Sequence, residues 1–373
     1  MSRRLEFRVD VRGCTGCKAC QVACQDKHDL DPDVRWRRVA EVAGGGWQQE
    51  GSVWRDASRT WFVTVACMHC EDPICVEVCP TRAMAKGEHG IVAIEPERCM
   101  GCHYCAWACP YGAPQYDRTQ GVMTKCDLCR DRLTEGRAPA CVAACPTRVL
   151  GVEDAAQPSG GVDALFPLPD PTLTQPVCAL TPHREAEGCA PSTLRIGNAE
   201  EIEPRARPGT AEGSLVLFTV FAQAAAGLCV ISACLGLLAP AAVAPAGGVF
   251  GAAFVLLVLG GLAAATHLGR LRAAPLALAH LRSSWLSREV LAFSALAGVV
   301  FVGLILSQLD LPSSPLAWPA ALLGVLLLIA IASVYRLRTV PAWNTWVTPV
   351  TFCATAGVLG CAGLALLLAT QAE

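Results

Sequence analysis

Two hydropathy regimes divide the chain. From Leu215 onward apolar positions run almost unbroken over 215–239, 249–266, 290–309, 316–335 and 347–369. A helix needs about 20 apolar residues, within a range of about 17–25, to cross a bilayer. The pattern therefore predicts five spanning helices, with a turn at 240–248 between the first two. Trp285, Trp318, Trp343 and Trp346 fall at or just outside the run ends, where an interfacial aromatic belt sits. A very apolar helical domain of a soluble protein is the competing reading, and five such runs with so few charges argue against it. Upstream the pattern is mixed. An insertion with Gly44, Gly45, Gly46, Trp47 and Trp54 precedes the strand-like Trp61-Phe62-Val63-Thr64-Val65. Pro158, Pro167, Pro169, Pro171 and Pro176 mark an extended tail that passes into a linker. The expected organisation is a domain at 1–195, a linker at 196–213 and a membrane domain at 214–373.

Charge sharpens the division. Of the 373 residues 17% are charged and 53% hydrophobic, but residues 214–373 hold only six Arg, two Glu and one Asp. The formal net charge of −2 excludes a basic nucleic-acid binder. Arg3 and Arg4 have no apolar stretch behind them, so no signal peptide is expected. No Ser-His-Asp signature, P-loop or dinucleotide fingerprint occurs in the polar part.

The chemistry lies in the cysteines. Sixteen of the 22 form four groups. They are Cys14, Cys17, Cys20, Cys24; Cys67, Cys70, Cys75, Cys79; Cys99, Cys102, Cys105, Cys109; and Cys126, Cys129, Cys141, Cys145. The first and third share the spacing C-x2-C-x2-C-x3-C, and three groups end in Cys-Pro. This is an internal repeat. Structural zinc takes well-separated C-x2-C pairs, and disulfide frameworks belong to short secreted chains; three cysteines at successive x2 spacing suit an iron–sulfur cubane. Sixteen thiolates make four [4Fe-4S] clusters. In two-cluster ferredoxins the fourth cysteine of one run ligates the other cluster. Crossed sets are therefore expected: Cys67, Cys70, Cys75 with Cys109; Cys99, Cys102, Cys105 with Cys79; Cys14, Cys17, Cys20 with Cys145; and Cys126, Cys129, Cys141 with Cys24. Lys18, Arg98, Lys125, Arg130, Arg132 and Arg148 adjoin ligands, either as tuning charges or as solvated surface. Cys178, Cys189, Cys229, Cys234, Cys353 and Cys361 read as packing residues.

The run Cys67-Met68-His69-Cys70-Glu71-Asp72-Pro73, with Cys99-Met100-Gly101-Cys102-His103-Tyr104-Cys105 and Cys109-Pro110-Tyr111-Gly112-Ala113-Pro114-Gln115, resembles the four-cluster subunit of dimethyl sulfoxide reductase-type molybdoenzyme complexes. Leu168-Pro169-Asp170 and Thr181-Pro182-His183 resemble that subunit's end. In the nitrate reductase branch a Trp replaces the second cysteine of the third group and a three-iron cluster results; Cys102 stands there here. His267-Leu268-Gly269-Arg270, Ser284-Trp285-Leu286-Ser287-Arg288-Glu289 and Tyr335-Arg336-Leu337 resemble the membrane-anchor subunit of the same complexes. The resemblance implies a fusion of two subunits, although that anchor usually has eight spans. It implies an α+β double ferredoxin-like domain followed by an all-α transmembrane anchor. It also implies a separate catalytic subunit that alone carries molybdopterin, with a quinone or menaquinone as the membrane substrate.

His267 ends the second run and Glu289 starts the third, so both fall at one membrane face. A His and a carboxylate suit proton uptake from a quinol, but charges at a membrane edge also serve as anchors. The resemblance favours a quinone site at His267, Arg270, Arg288 and Glu289. Residues 214–373 contain only His267 and His280, around one loop, so no haem b is expected. Arginines crowd the loops after the second and fourth runs, and the opposite loops carry only Asp310. The positive-inside rule then puts the cluster domain on the cytoplasmic side of a bacterial cytoplasmic membrane; the namesake family faces the periplasm. The expected role is an electron-transfer and anchor subunit for S- or N-oxide reduction. A cytoplasm-facing sulfite:quinone oxidoreductase and a membrane-tethered ferredoxin without quinone chemistry are the alternatives.

Overall fold

The computed structural model describes residues 4–155, 168–186, 194–196, 210–238 and 246–370. It separates into two compact units, Met1–Arg205 and Ala206–Glu373. Most of the expected linker at 196–213 and of the expected turn at 240–248 lies outside the described residues, as do Pro158, Pro167 and Cys189.

The first unit is α+β. Along it come β1 (Leu5–Asp10), α1 (Ala19–His28), β2 (Arg38–Gly44), β3 (Trp47–Glu50), β4 (Val53–Asp56), β5 (Arg59–Val65), α2 (Ile74–Glu77), β6 (Met84–Lys86), β7 (Val92–Ile94), α3 (Tyr104–Ala108), β8 (Gln115–Asp117), β9 (Val122–Thr124), α4 (Arg130–Thr134), α5 (Ala140–Ala143), β10 (Leu150–Asp154), β11 (Cys178–Thr181) and β12 (Leu194–Ile196). β1 pairs antiparallel with β10 and parallel with β11, while β2 lies between β5 and β12. The strand-like stretch falls in β5, where Trp61, Val63 and Val65 alternate inward against Val39, Val42, Phe7 and Val9. β3 and β4 form a hairpin that leaves Trp47 and Trp54 exposed. The described part of the Pro-rich tail makes a 3-10 turn at Pro171–Leu173 and then docks along the chain at Met68–Asp72. Glu71 N–H donates to the Gln175 carbonyl (2.7 Å), Val177 N–H donates to the Met68 carbonyl (3.0 Å), and β11 then joins the sheet.

The second unit is all helical. It comprises α6 (Thr210–Leu238), α7 (Ala246–His267), α8 (Trp285–Gln308), α9 (Ala317–Tyr335) and α10 (Val347–Ala369). These five are long and apolar enough to cross a membrane. α6 packs against α7, α9 and α10, and α8 against α7 and α9. Outward positions such as Leu262, Leu322, Val358 and Leu366 stay exposed, as lipid contact requires. Between α7 and α8 the chain forms a 3-10 helix, Leu271–His280. Cys178 and Cys229 are buried as packing residues, but Cys234, Cys353 and Cys361 lie exposed on their helices. An apolar span exposes small sulfur side chains to lipid without penalty, so spacing alone did not distinguish these from core positions.

α6 and α10 cross at two glycines. A Cβ on Gly227 would stand 1.9 Å from the Ala356 carbonyl oxygen, and one on Gly360 would meet the Gly227 backbone at 2.4 Å. Overpacking costs about 1–3 kcal/mol, occasionally more. Gly227→Val is expected to reach at least the top of that range because the clash is with backbone. Gly357→Val, with nothing within 4 Å of the added Cβ, is expected to be neutral. Thermal unfolding in detergent reads the difference; equal melting temperatures would reject the close crossing.

Candidate functional sites

Each cysteine group begins with a backbone curl. The residue before the second cysteine of every group has positive φ: Gly16, His69, Gly101 and Leu128. That turn points N–H groups back at sulfur, making a concave nest for an anion. His69 N–H reaches Cys67 Sγ and Leu128 N–H reaches Cys126 Sγ, both at 3.5 Å. Met84 N–H reaches Cys79 Sγ (3.5 Å) and Met123 N–H reaches Cys99 Sγ (3.4 Å). Gly16 has a second constraint, since a Cβ there would sit 2.6 Å from the Phe62 ring. The third cysteines, Cys20, Cys75, Cys105 and Cys141, then enter α1, α2, α3 and α5.

The fold gathers these sulfurs across groups. Cys14 has Cys20, Cys145 and Cys17 as its sulfur neighbours, and a small cavity is lined by all four. Cys24 faces Cys141 and Cys129, and Cys126 faces Cys24 and Cys141. Cys75 adjoins Cys109, Cys67 and Cys70, while Cys105 adjoins Cys102, Cys79 and Cys99. Burial pushes the thiols of Cys24, Cys70 and Cys102 up to about 12, and those of Cys75, Cys105 and Cys126 well up. The set of Cys14, Cys17, Cys20 and Cys145 is the more open one, with Cys17 exposed and Cys145, although burial opposes it, held low by N–H and hydroxyl donors, while the other sets are largely buried. Sulfur sets with inward N–H donors suit anionic iron–sulfur clusters, whose binding replaces the thiol protons.

Cations are buried beside the sulfurs. Lys125 Nζ donates to the Val92 carbonyl and to the Cys126 carbonyl (2.7 Å). Burial opposes its charge, but Cys67, Cys126 and Cys75 more than offset that and hold it above its usual range. Arg98, Arg130 and Arg132 instead occupy the surface, Arg98 with Glu95 (3.8 Å), Arg130 with Asp127 (3.8 Å) and Arg132 with the Ala138 carbonyl (2.7 Å). Arg148 is exposed and Lys18 half-buried. Two further cations carry no motif. Arg37 is buried over the Phe7 ring at 4.5 Å and donates to Thr64 Oγ1 (3.2 Å). Burial works against its charge, and the sulfurs of Cys141, Cys126, Cys20 and Cys24 outweigh it and raise its basicity. Arg38 donates to the Tyr111 carbonyl (2.7 Å); burial lowers it to about 10 despite Cys109. Their only sequence signal is a charged pair at the start of an apolar strand.

In the anchor, His267 closes α7 and Glu289 lies in the second turn of α8, both buried and at the same end of the helical bundle. The Ser284 hydroxyl caps α8 by accepting Ser287 N–H (3.4 Å). Arg288 lies over the Trp285 ring at 4.2 Å and donates to the carbonyls of Leu281 (2.9 Å) and Arg282 (2.6 Å). It therefore ties the loop to the helix end. Arg270 precedes the 3-10 helix, half-buried. Tyr335 at the end of α9 is hydrogen-bonded to Thr219 of α6 and within electrostatic reach of Glu289. Gln223, one turn beyond Thr219, is buried as well. Thr219 and Gln223 were legible only as two polar residues at i, i+4 in an apolar run.

Cysteine sets of this kind on an α+β domain, continued by membrane-spanning helices, define an iron–sulfur electron-transfer protein integral to a membrane. Residues 13–84 and 58–155 each match a family described as 4Fe-4S dicluster domain, and residues 207–373 match the DMSO reductase anchor subunit (DmsC). The protein is 42% identical over 205 residues to the B subunit of anaerobic dimethyl sulfoxide reductase from Escherichia coli, covering 54% of this chain and 100% of that subunit. The corresponding subunit of Haemophilus influenzae is 41% identical over 200 residues, 52% of this chain and 98% of the relative. The formate dehydrogenase iron-sulfur subunit of Wolinella succinogenes is 35% identical over 169 residues, 39% of this chain and 80% of the relative. The protein belongs to the family of dimethyl sulfoxide reductase B subunits, here fused to an anchor domain of the matching type.

Proposed function

We propose that the chain relays electrons between a membrane quinone or menaquinone pool and a separate molybdopterin catalytic subunit that reduces dimethyl sulfoxide or a related S- or N-oxide. The observation that carries this reading is the convergence of sixteen cysteines into four sets in a chain that continues into five spans, with His267 and Glu289 buried at one end. The four [4Fe-4S] clusters would be held by Cys14, Cys17, Cys20 and Cys145; Cys126, Cys129, Cys141 and Cys24; Cys67, Cys70, Cys75 and Cys109; and Cys99, Cys102, Cys105 and Cys79. When bound they supply one-electron carriers. The protein's part is to bury most of the sulfurs, to aim N–H groups at them, and to set Arg37 and Lys125 against their negative charge.

Oxidation of a quinol releases two electrons and two protons. His267 and Glu289 accept the protons, with the Tyr335 hydroxyl within electrostatic reach of the carboxylate. Arg270 stands half-buried at the start of the connecting loop, and Arg288 ties that loop to the end of α8. The relay includes no haem b, because only His267 and His280 are available in 214–373. The names of the relatives support the S-oxide class, and the oxide itself is chosen by the catalytic partner.

Six arginines lie at the bundle end where α6 begins, against Asp310 at the other, which supports a cytoplasmic cluster domain. Inside-out vesicles with the chain and its catalytic partner are expected to oxidise a menaquinol analogue when an S- or N-oxide is supplied and not when no acceptor is present. With membrane-impermeant ferricyanide in place of the oxide, the same vesicles are expected to pass electrons from the quinol to it. Quinol oxidation indifferent to the oxide would reject the respiratory role. Ferricyanide reduction only by right-side-out vesicles would put the cluster domain in the periplasm.

A further inference from the structure

α1 ends at His28, and its ring is held in a tight setting remote from its own neighbours in sequence. It lies against Trp36 with centroids 4.5 Å apart. Trp36 is fixed in turn by its Nε1–H donating to Thr124 Oγ1 (3.1 Å). On the other side, His28 Nε2 stands 3.3 Å from Cys129 Sγ, across 101 residues of chain, and 3.9 Å from Asp127 Oδ1. Asp127 Oδ1 accepts the Cys129 backbone N–H (2.9 Å), which fixes the loop on which that sulfur sits. The imidazole is only 12% exposed. These contacts leave one ring nitrogen aimed at one sulfur.

We propose that His28 is a positioning residue for electron transfer: Nε2–H donates to Cys129 Sγ and raises the reduction potential of the cluster that Cys129 helps to hold. The inference rests on the cluster assignment above. A cluster gains negative charge on reduction, and part of that charge resides on its thiolate sulfurs. A donor at a ligand sulfur therefore stabilises the reduced form more than the oxidised form, and the potential rises. The Trp36 ring keeps this hydrogen bond away from water, where it would be worth less. The contact also joins the first cysteine group's helix to a ligand of the fourth group. One residue thus tunes one of the four carriers without ligating any.

The test is a redox titration followed by electron paramagnetic resonance, on membranes holding the full chain as wild type, His28→Phe and His28→Gln. Phe keeps a ring against Trp36 and removes the donor; Gln restores a side-chain N–H. In His28→Phe one midpoint potential is expected to fall while the other three stay in place and iron per chain is unchanged. His28→Gln is expected to recover most of the fall. Four unchanged midpoints in His28→Phe would overturn the proposal. So would equal shifts in both variants, or loss of iron from His28→Phe, since either would make the histidine a packing residue. A wild type without four cubane signals would instead reject the cluster assignment, and this inference with it.

Discussion

Glu289→Gln is expected to slow quinol-driven reduction of the clusters by about 100-fold or more, the scale on which a positioned acid or base contributes. Dithionite should still reduce those clusters fully in the same membranes. Glu289 is a buried carboxylate one helix away from the buried His267, with Tyr335 within electrostatic reach. Burying a carboxylate in a helix bundle is costly unless it is used. Gln keeps the shape and hydrogen-bonding capacity but cannot take a proton. His267→Ala removes the second acceptor and should give a loss of similar size. Arg288→Ala should act differently, since its guanidinium is engaged by Trp285 and two loop carbonyls. A membrane-tethered ferredoxin without quinone chemistry would show unchanged rates in the Glu289 and His267 variants.

Cys145→Ser is expected to damage the same cluster as Cys17→Ser, and a different one from Cys129→Ser. The reason is geometric: Cys145 lines one cavity with Cys14, Cys17 and Cys20, although sequence order puts it in the group of Cys126, Cys129 and Cys141. A serine at a ligand position removes a soft thiolate. The damaged cluster is then lost, with iron falling from about 16 to about 12 per chain, or survives as a three-iron form at about 15. Iron analysis with electron paramagnetic resonance of the three variants checks this. If Cys145→Ser matched Cys129→Ser, the sets would be uncrossed.

The sequence carried the cysteine sets and the spans because both are local signals. A C-x2-C spacing fixes a curl within a few residues, and about 20 uncharged apolar residues have few fates other than a membrane. What it did not carry are contacts made by folding over long separations. Arg37 comes against Cys126 and Cys141 only because the chain entering β2 folds onto the fourth cysteine group, and His28 finds Cys129 across 101 residues. Thr219 meets Tyr335 because α6 packs on α9, and Gly227 meets Gly360 because α6 packs on α10. None of these leaves a periodic trace. Lys125 shows the opposite limit. It was visible beside Cys126, yet so were Arg98, Arg130 and Arg132, and burial alone separates the counter-charge from the surface charges.

The most direct measurement is anaerobic mixing of a menaquinol analogue with membranes that hold the chain alone, followed by freezing and electron paramagnetic resonance. Growth of reduced cubane signals in the wild type, blocked by a competitive quinol-site inhibitor and absent in Glu289→Gln, is the predicted result. Clusters that stay oxidised under quinol yet reduce with dithionite in the wild type would contradict a quinone-linked relay.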